Sequence, residues 1–269
     1  MIKILYSVLV VYLVIVAAIF LGQRFLQYAP HTQAPGTPAA AGLPEMAELH
    51  TTTKDGLELL AWFSPPENRD GPIIVFFHGN AGDISGRTEK VRPYLDRGFG
   101  VYLCEYRGFG GNPGLIHEKG LYADARAGLE WLKANGYEPK QWVIYGESIG
   151  SGAAVEMARE YGGKALVLDG GFSSAGDVAQ GRYFWLPAKW MLHDRYNNID
   201  KISEIKMPLL MIHGDQDSVV PLKYGQKLFA AANEPKKMVI IEGGHHSDLY
   251  DFGAGKIVID WLGGGHDAN

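Results

Sequence analysis

The sequence predicts an α/β fold: a mostly parallel, twisted sheet with helices on both faces. It also predicts a short lid-like insert over one end of the sheet and one transmembrane helix ahead of it. Three observations lead there. Short β-branched and aromatic runs alternate with stretches of helical spacing over most of the chain. Glycine-rich motifs bearing Ser, Asp and His each follow directly on one of those short runs, where ligands bind in open parallel sheets. Residues Ile4 to Leu21 carry no charge at all.

Composition removes several function classes. Of 269 residues 46% are apolar and one is a cysteine, which excludes a disordered chain, a disulfide scaffold and a Cys-rich zinc fold. Lys+Arg 25 against Asp+Glu 30 gives a net charge of −5 with no basic block. Nucleic acid is therefore not an expected partner, since its binding depends on neutralising phosphates. The 35 glycines imply many tight turns and close backbone approaches.

The N-terminal run from Ile4 to Leu21, with Lys3 before it and Arg24 after it, would span roughly 27 Å as a helix, close to a hydrocarbon core. A cleaved signal peptide has a shorter apolar region and a nearby small-x-small site, and a core helix is seldom apolar all round. Residues 1–28 are thus expected to be an uncleaved single-pass anchor. Its flanking charges barely decide orientation, and the short leading tail points to a catalytic domain outside the cytoplasm. Residues 29–44 (APHTQAPGTPAAAGLP) have no apolar period and read as a linker. The globular domain is expected over 45–269.

Within it, Met46–Thr53 and Leu57–Ser64 flank Asp55-Gly56, a hairpin signal. Pro72–Phe77 reads as a buried parallel strand. Ile84–Arg97 has helical spacing, Val101–Cys104 is a strand, and Leu121–Asn135 is a helix ended by Gly136. Strands follow at Trp142–Tyr145, Ala165–Asp169, Leu209–His213 and Met238–Glu242. Helices are expected over Ile149–Tyr161, Tyr224–Ala232 and Asp248–Leu262.

Four motifs sit at strand ends. Gly146-Glu147-Ser148-Ile149-Gly150 follows WVIY and opens a helix. A serine on such a turn projects its hydroxyl above the sheet, and the Ile149 amide points toward a developing oxyanion. The alternative is a helix-capping serine. His78-Gly79-Asn80-Ala81-Gly82 follows PIIVFF and offers a second oxyanion amide, from Asn80 or Ala81. There the His78 ring is expected only to bond the loop. The run from His213 to Pro221 offers Asp215 and Asp217, either to orient a histidine or to cap the next helix. His245 and His246 follow the last strand, and one of them is suited to general-base work. Metal binding is not expected of two adjacent, diverging histidines with no third ligand.

From about residue 45 to 262 the chain resembles the α/β-hydrolase superfamily, and within it the membrane-anchored α/β-hydrolase-domain serine hydrolases and their bacterial relatives. The matching pieces are HGNAG at 78–82, EYRGFG at 105–110, GESIGSG at 146–152, HGDQDSVVP at 213–221 and EGGHHSDL at 242–249. The resemblance implies Ser148 as nucleophile, Asp217 rather than Asp215 as acid, and His246 rather than His245 as base. It makes His78, Gly79, Tyr106 and Arg107 supporting residues. Glu105 stands where the relatives usually have Asp, which puts a local hydrogen bond in doubt.

The implied chemistry is hydrolysis of carboxylic esters or thioesters through an acyl-enzyme, without cofactor. A serine peptidase of the same fold and a catalytically silent binding module are the alternatives. The insert from Gly170 to Pro208 is rich in aromatics and is expected to form a small lid. Phe172, Phe184 and Trp185, with Val219, are its pocket candidates. An apolar lid suits small-molecule or lipid-like acyl substrates. The sequence leaves the oligomeric state open.

Overall fold

The computed structural model describes residues 1–264. Helix α1 (Ile2–Gln27) leads into a two-residue strand β1 (Ala29–Pro30). Then come β2 (Ala47–Thr52), β3 (Glu58–Ser64), β4 (Ile73–Phe77), a two-residue β5 (Ala81–Gly82), α2 (Thr88–Leu95), β6 (Gly100–Cys104) and α3 (Glu118–Ala134). The second half holds β7 (Trp142–Glu147), α4 (Gly150–Tyr161), β8 (Ala165–Asp169), α5 (Ala175–Arg182), α6 (Ala188–Met191), β9 (Leu209–Gly214), α7 (Leu222–Ala231), β10 (Lys236–Ile241) and α8 (Ala254–Gly263).

Eight strands form one sheet in the order β10-β9-β8-β7-β4-β6-β3-β2. Only the β2–β3 and β3–β6 pairs are antiparallel. Alternation along β4 divides the core between the two faces. Ile73, Val75 and Phe77 pack with Leu121, Leu129, Ala153 and Leu228 of α3, α4 and α7. Ile74 and Phe76 pack with Val91, Tyr94, Ala254 and Val258 of α2 and α8. A parallel strand buried on both faces has no solvent side to show, which is why PIIVFF reads as a continuous apolar run. Burying each such side chain contributes about 1.5–3 kcal/mol.

Three expectations need correction. Residues 29–44 are not a free linker. Strand β1 pairs in parallel with β5, Leu43 is fully buried, and His31 Nδ1 lies 2.5 Å from Asp83 Oδ2. Single side chains dock this stretch, so it needs no apolar period. The helix expected from Ile84 is a 3-10 turn at Ile84–Arg87 followed by the shorter α2. The last helix starts not at Asp248 but at Ala254, because Gly253 sits in the left-handed region at φ 84° and breaks the backbone there.

Helix α1 is long and apolar enough to cross a membrane. The residue that follows it joins the folded body: the Tyr28 and Tyr196 hydroxyls meet at 2.7 Å, inside the core.

Candidate active site

The site lies at the carboxyl ends of β4, β7, β8 and β9. Strand β7 delivers Ser148 on a sharp turn into α4, and Ser148 takes φ 51°, a conformation that costs a non-glycine residue on the order of 1–3 kcal/mol. The Ser148 amide is anchored to the Asp169 carbonyl at 2.8 Å. Helix α4 then passes so close to β4 that a Cβ on Gly150 would stand 2.1 Å from the Phe77 carbonyl oxygen. Gly150→Ala is therefore expected to push the turn off β4. Overpacking of about 1–3 kcal/mol would lower Tm by roughly 3–10 °C. Displacement of the serine would slow its reaction with a fluorophosphonate on the order of 10²-fold. Calorimetry and labelling rates check the two effects separately.

A hydrogen-bonded chain leads away from the serine. Ser148 Oγ lies 2.8 Å from His246 Nε2, and His246 Nδ1 lies 2.7 Å from Asp217 Oδ2. Asp217 serves two ends at once: its Oδ1 accepts the Val219 and Val220 amides at 2.9 and 2.7 Å, fixing the loop that presents Oδ2 to the histidine. It does not cap α7, whose N-terminal flank is Pro221. Burial opposes the Asp217 charge, but bonding to His213 and His246 and the Val220 amide hold its carboxyl well below the usual range. For His246, burial lowers the pKa, yet Asp217, then Asp169 and Glu147, raise it above the ordinary 6.5.

The other histidine and the other aspartate of these two loops make different contacts. His245 is turned out to solvent and bonds Asp248 at 3.0 Å. Asp215 accepts the Gly243 amide at 2.9 Å, tying the two loops together. Beside the serine runs the turn after β4. The Gly79 amide is occupied by Glu147 Oε2 at 3.1 Å, while Asn80, Ala81 and Ile149 line the same cavity as Ser148. His78 is buried, with Nδ1 2.7 Å from the Gly79 carbonyl and Nε2 2.8 Å from Glu105 Oε1. The bond placed in doubt by Glu105 is thus made. A Cβ on Gly110 would lie 2.6 Å from Glu105 Oε2, so a glycine at φ 54° there leaves room for the longer acid. Tyr106 donates its hydroxyl to the His78 carbonyl at 3.2 Å. Arg107 grips Asp124 and Asp55 and braces α3 against the β2–β3 turn.

Ser148 and His246 open on a cavity of about 770 Å³. The insert supplies Phe172, Val178, Tyr183, Leu186 and Met191, and Val219 closes one side. Phe184 and Trp185, expected to line it, do not. Leu186 N–H bonds the Tyr183 carbonyl at 2.9 Å, so Tyr183 and Leu186 share the inner side of a turn. Phe184 and Trp185 form its outer corner, and Phe184 is 82% exposed.

Comparison with known proteins follows this geometry. Residues 72–199 match the family model for the alpha/beta hydrolase fold. The Mycobacterium tuberculosis protein Rv2307c is 38% identical over 88% of this chain and 85% of its own. Human alpha/beta hydrolase domain-containing protein 17B is 34% identical over 76% of this chain and 70% of its own.

The chain belongs to the α/β-hydrolase fold family.

Among solved members of the α/β-hydrolase fold, an esterase of Pyrococcus furiosus superposes with a TM-score of 0.71 over 88% of this chain and 97% of its own, at 19% identity.

Two groups in this α/β-hydrolase were not legible as site residues. Glu147 lies under the elbow between Arg87 Nε at 2.7 Å and Lys90 Nζ at 2.8 Å. Its burial works against ionisation, but Lys90 and Arg87 overcome it and hold the carboxyl well below the ordinary range. It thereby ties the turn after β4 to the serine turn. A carboxylate directly beside the serine was the available signal. The second group is α1 itself: Ile19, Phe20, Gln23, Leu26 and Gln27 form one wall of the cavity. Two glutamines closing an otherwise apolar helix were the signal there.

The electrostatics give a pH expectation. His246 must be neutral to accept a proton from Ser148, and its pKa is raised. Reaction of Ser148 should fall as pH drops, with a midpoint above 6.5. A fluorophosphonate labelling profile between about pH 5 and 9 reads it.

Proposed function

We propose that the protein is a membrane-anchored serine hydrolase that cleaves carboxylic esters or thioesters of apolar acyl groups. The observation that carries this reading is the unbroken chain Ser148–His246–Asp217 at one side of a largely apolar cavity. His246 Nε2 takes the serine proton as Ser148 Oγ attacks the acyl carbonyl. The oxyanion is held by the Ile149 amide and by Asn80 or Ala81, and losing one such donor costs about 10²–10³ in rate. The imidazolium, stabilised by Asp217, then protonates the departing alkoxide or thiolate. Water, activated by the same histidine, releases the acid and restores the serine. The acyl chain lies along Phe172, Leu186, Met191 and α1, within a volume typical of small-molecule sites.

The test uses the full chain in detergent with a fluorophosphonate, the adduct being mapped by mass spectrometry. An adduct on Ser148 that is lost in His246→Ala and kept in His245→Ala is expected. A folded protein without that adduct would overturn the reading.

A further inference from the structure

The contact between α1 and the insert runs much further than an anchor requires. Tyr12, Val16, Ile19, Gly22, Gln23 and Gln27 are the partly or fully covered positions of an otherwise exposed helix, and the three- and four-residue spacing of Tyr12, Val16, Ile19, Gln23 and Gln27, with Gly22 beside Gln23, makes one stripe. The stripe is occupied along its length. Tyr12 donates its hydroxyl to the Trp185 carbonyl at 3.2 Å. Gln23 donates to the Met191 carbonyl at 3.2 Å and accepts the His193 amide at 2.6 Å. Phe20 meets the His193 ring edge-on at 4.6 Å. Arg24 pairs with Asp194 at 2.8 Å, and Gln27 donates to the Asp194 carbonyl at 2.9 Å.

Depth follows from helix rise. The uncharged run ends at Leu21, and Tyr12 to Leu21 covers roughly 15 Å, about half a hydrocarbon core of roughly 30 Å. If α1 crosses a bilayer, the insert at Trp185 lies at that depth as well. Its composition fits lipid. Residues Tyr183 to Ala188 carry no charge, with Arg182 before them and Lys189 after them, side chains long enough to reach back toward headgroups. Phe184 and Trp190 are 82% and 75% exposed, a poor fit to water for two large aromatics side by side with an apolar helix.

We propose that the tip of the insert, residues 183–190, is seated in the same leaflet as the C-terminal half of α1, and that the cavity between them receives its acyl chain from that leaflet. The occupant of this surface is the lipid bilayer. The feeding half deepens the hydrolase reading and rests on it; the seating half does not.

Cys104 is buried, so an introduced thiol is the accessible one. The full chain with Phe184→Cys, or with Lys140→Cys at the opposite end of the sheet, is labelled with an environment-sensitive fluorophore and placed in phosphatidylcholine vesicles. Nitroxide on the lipid acyl chains is expected to quench the probe at 184 and to leave the probe at 140 unaffected. Equal quenching at the two positions overturns the seating, whether water or another protein copy covers the tip.

For the feeding, Phe184→Asp combined with Trp190→Asp is compared with the parent on two substrates. Hydrolysis of a water-soluble butyrate ester should stay within about twofold, while that of a long-chain ester held in vesicles should fall about tenfold or more. Equal effects on both substrates, or none on either, overturn the feeding. A parent that hydrolyses neither ester, with the probe at 184 still quenched, overturns the hydrolase reading and the feeding with it, and leaves the seating standing.

Discussion

His246→Ala is expected to lower kcat for any ester or thioester substrate by about six orders of magnitude, and His245→Ala to leave it within about twofold. The two side chains are neighbours in sequence and go to opposite sides of the loop. His246 Nε2 faces Ser148 Oγ at 2.8 Å, and the His245 side chain is 66% exposed. In the proposed mechanism no other group accepts the serine proton, so the serine and histidine would act as one unit and the loss of either would be nearly the loss of both. Ser148→Ala should match His246→Ala, and adding it to His246→Ala should cost little more. A steady-state series with the two single variants and the double variant reads this non-additivity. Losses that simply multiplied would mean that Ser148 and His246 work independently.

Asp217→Asn is expected to keep the fold and lose about 10⁴ in kcat. The amide oxygen can still accept from Val219 and Val220, so the loop keeps its shape. Its nitrogen would face His246 Nδ1 and donate to it. That forces the ring proton onto Nε2, where it blocks the bond to Ser148. The pH profile gives a second, independent readout. Asp217 is the largest influence raising the His246 pKa against burial. With that charge removed the midpoint should move to lower pH, although the plateau rate is far smaller. A midpoint unmoved or raised would assign the pKa of His246 to Asp169 and Glu147 instead.

The position of the candidate groups was readable in the sequence because parallel sheets place chemistry where strands end. WVIY and LLMIH are buried on both faces and MVIIE, on the edge strand β10, is partly covered, so these apolar runs place Ser148, Asp217 and His246 at one rim. The choice of Asp217 over Asp215 needed the resemblance, since both are short acids in one loop and only the fold reveals that Asp215 ties down Gly243. What was not readable is what depends on pairing between distant segments. Nothing in APHTQAPGTPAAAGLP announces that Leu43 enters the core or that His31 meets Asp83. Phe184 and Trp185 misled for a related reason. Aromatic composition marks an insert as apolar, but which side of a turn faces the cavity is set by backbone bonds such as that of Leu186 to Tyr183.

The second residue after α1 is bonded to the turn beside Ser148: the Ala29 amide donates to the Asn80 side-chain and backbone oxygens at 3.3 and 3.4 Å. A shortened protein begun at Glu45 for easier purification would keep every reactive side chain. It would also lose the β1 pairing, the Tyr28–Tyr196 contact and a whole cavity wall. Rate constants measured on such material would describe a different molecule, open on one side and slack at the turn after β4. Proteolytic cleavage in the same stretch would act on the protein as a chemical off-switch.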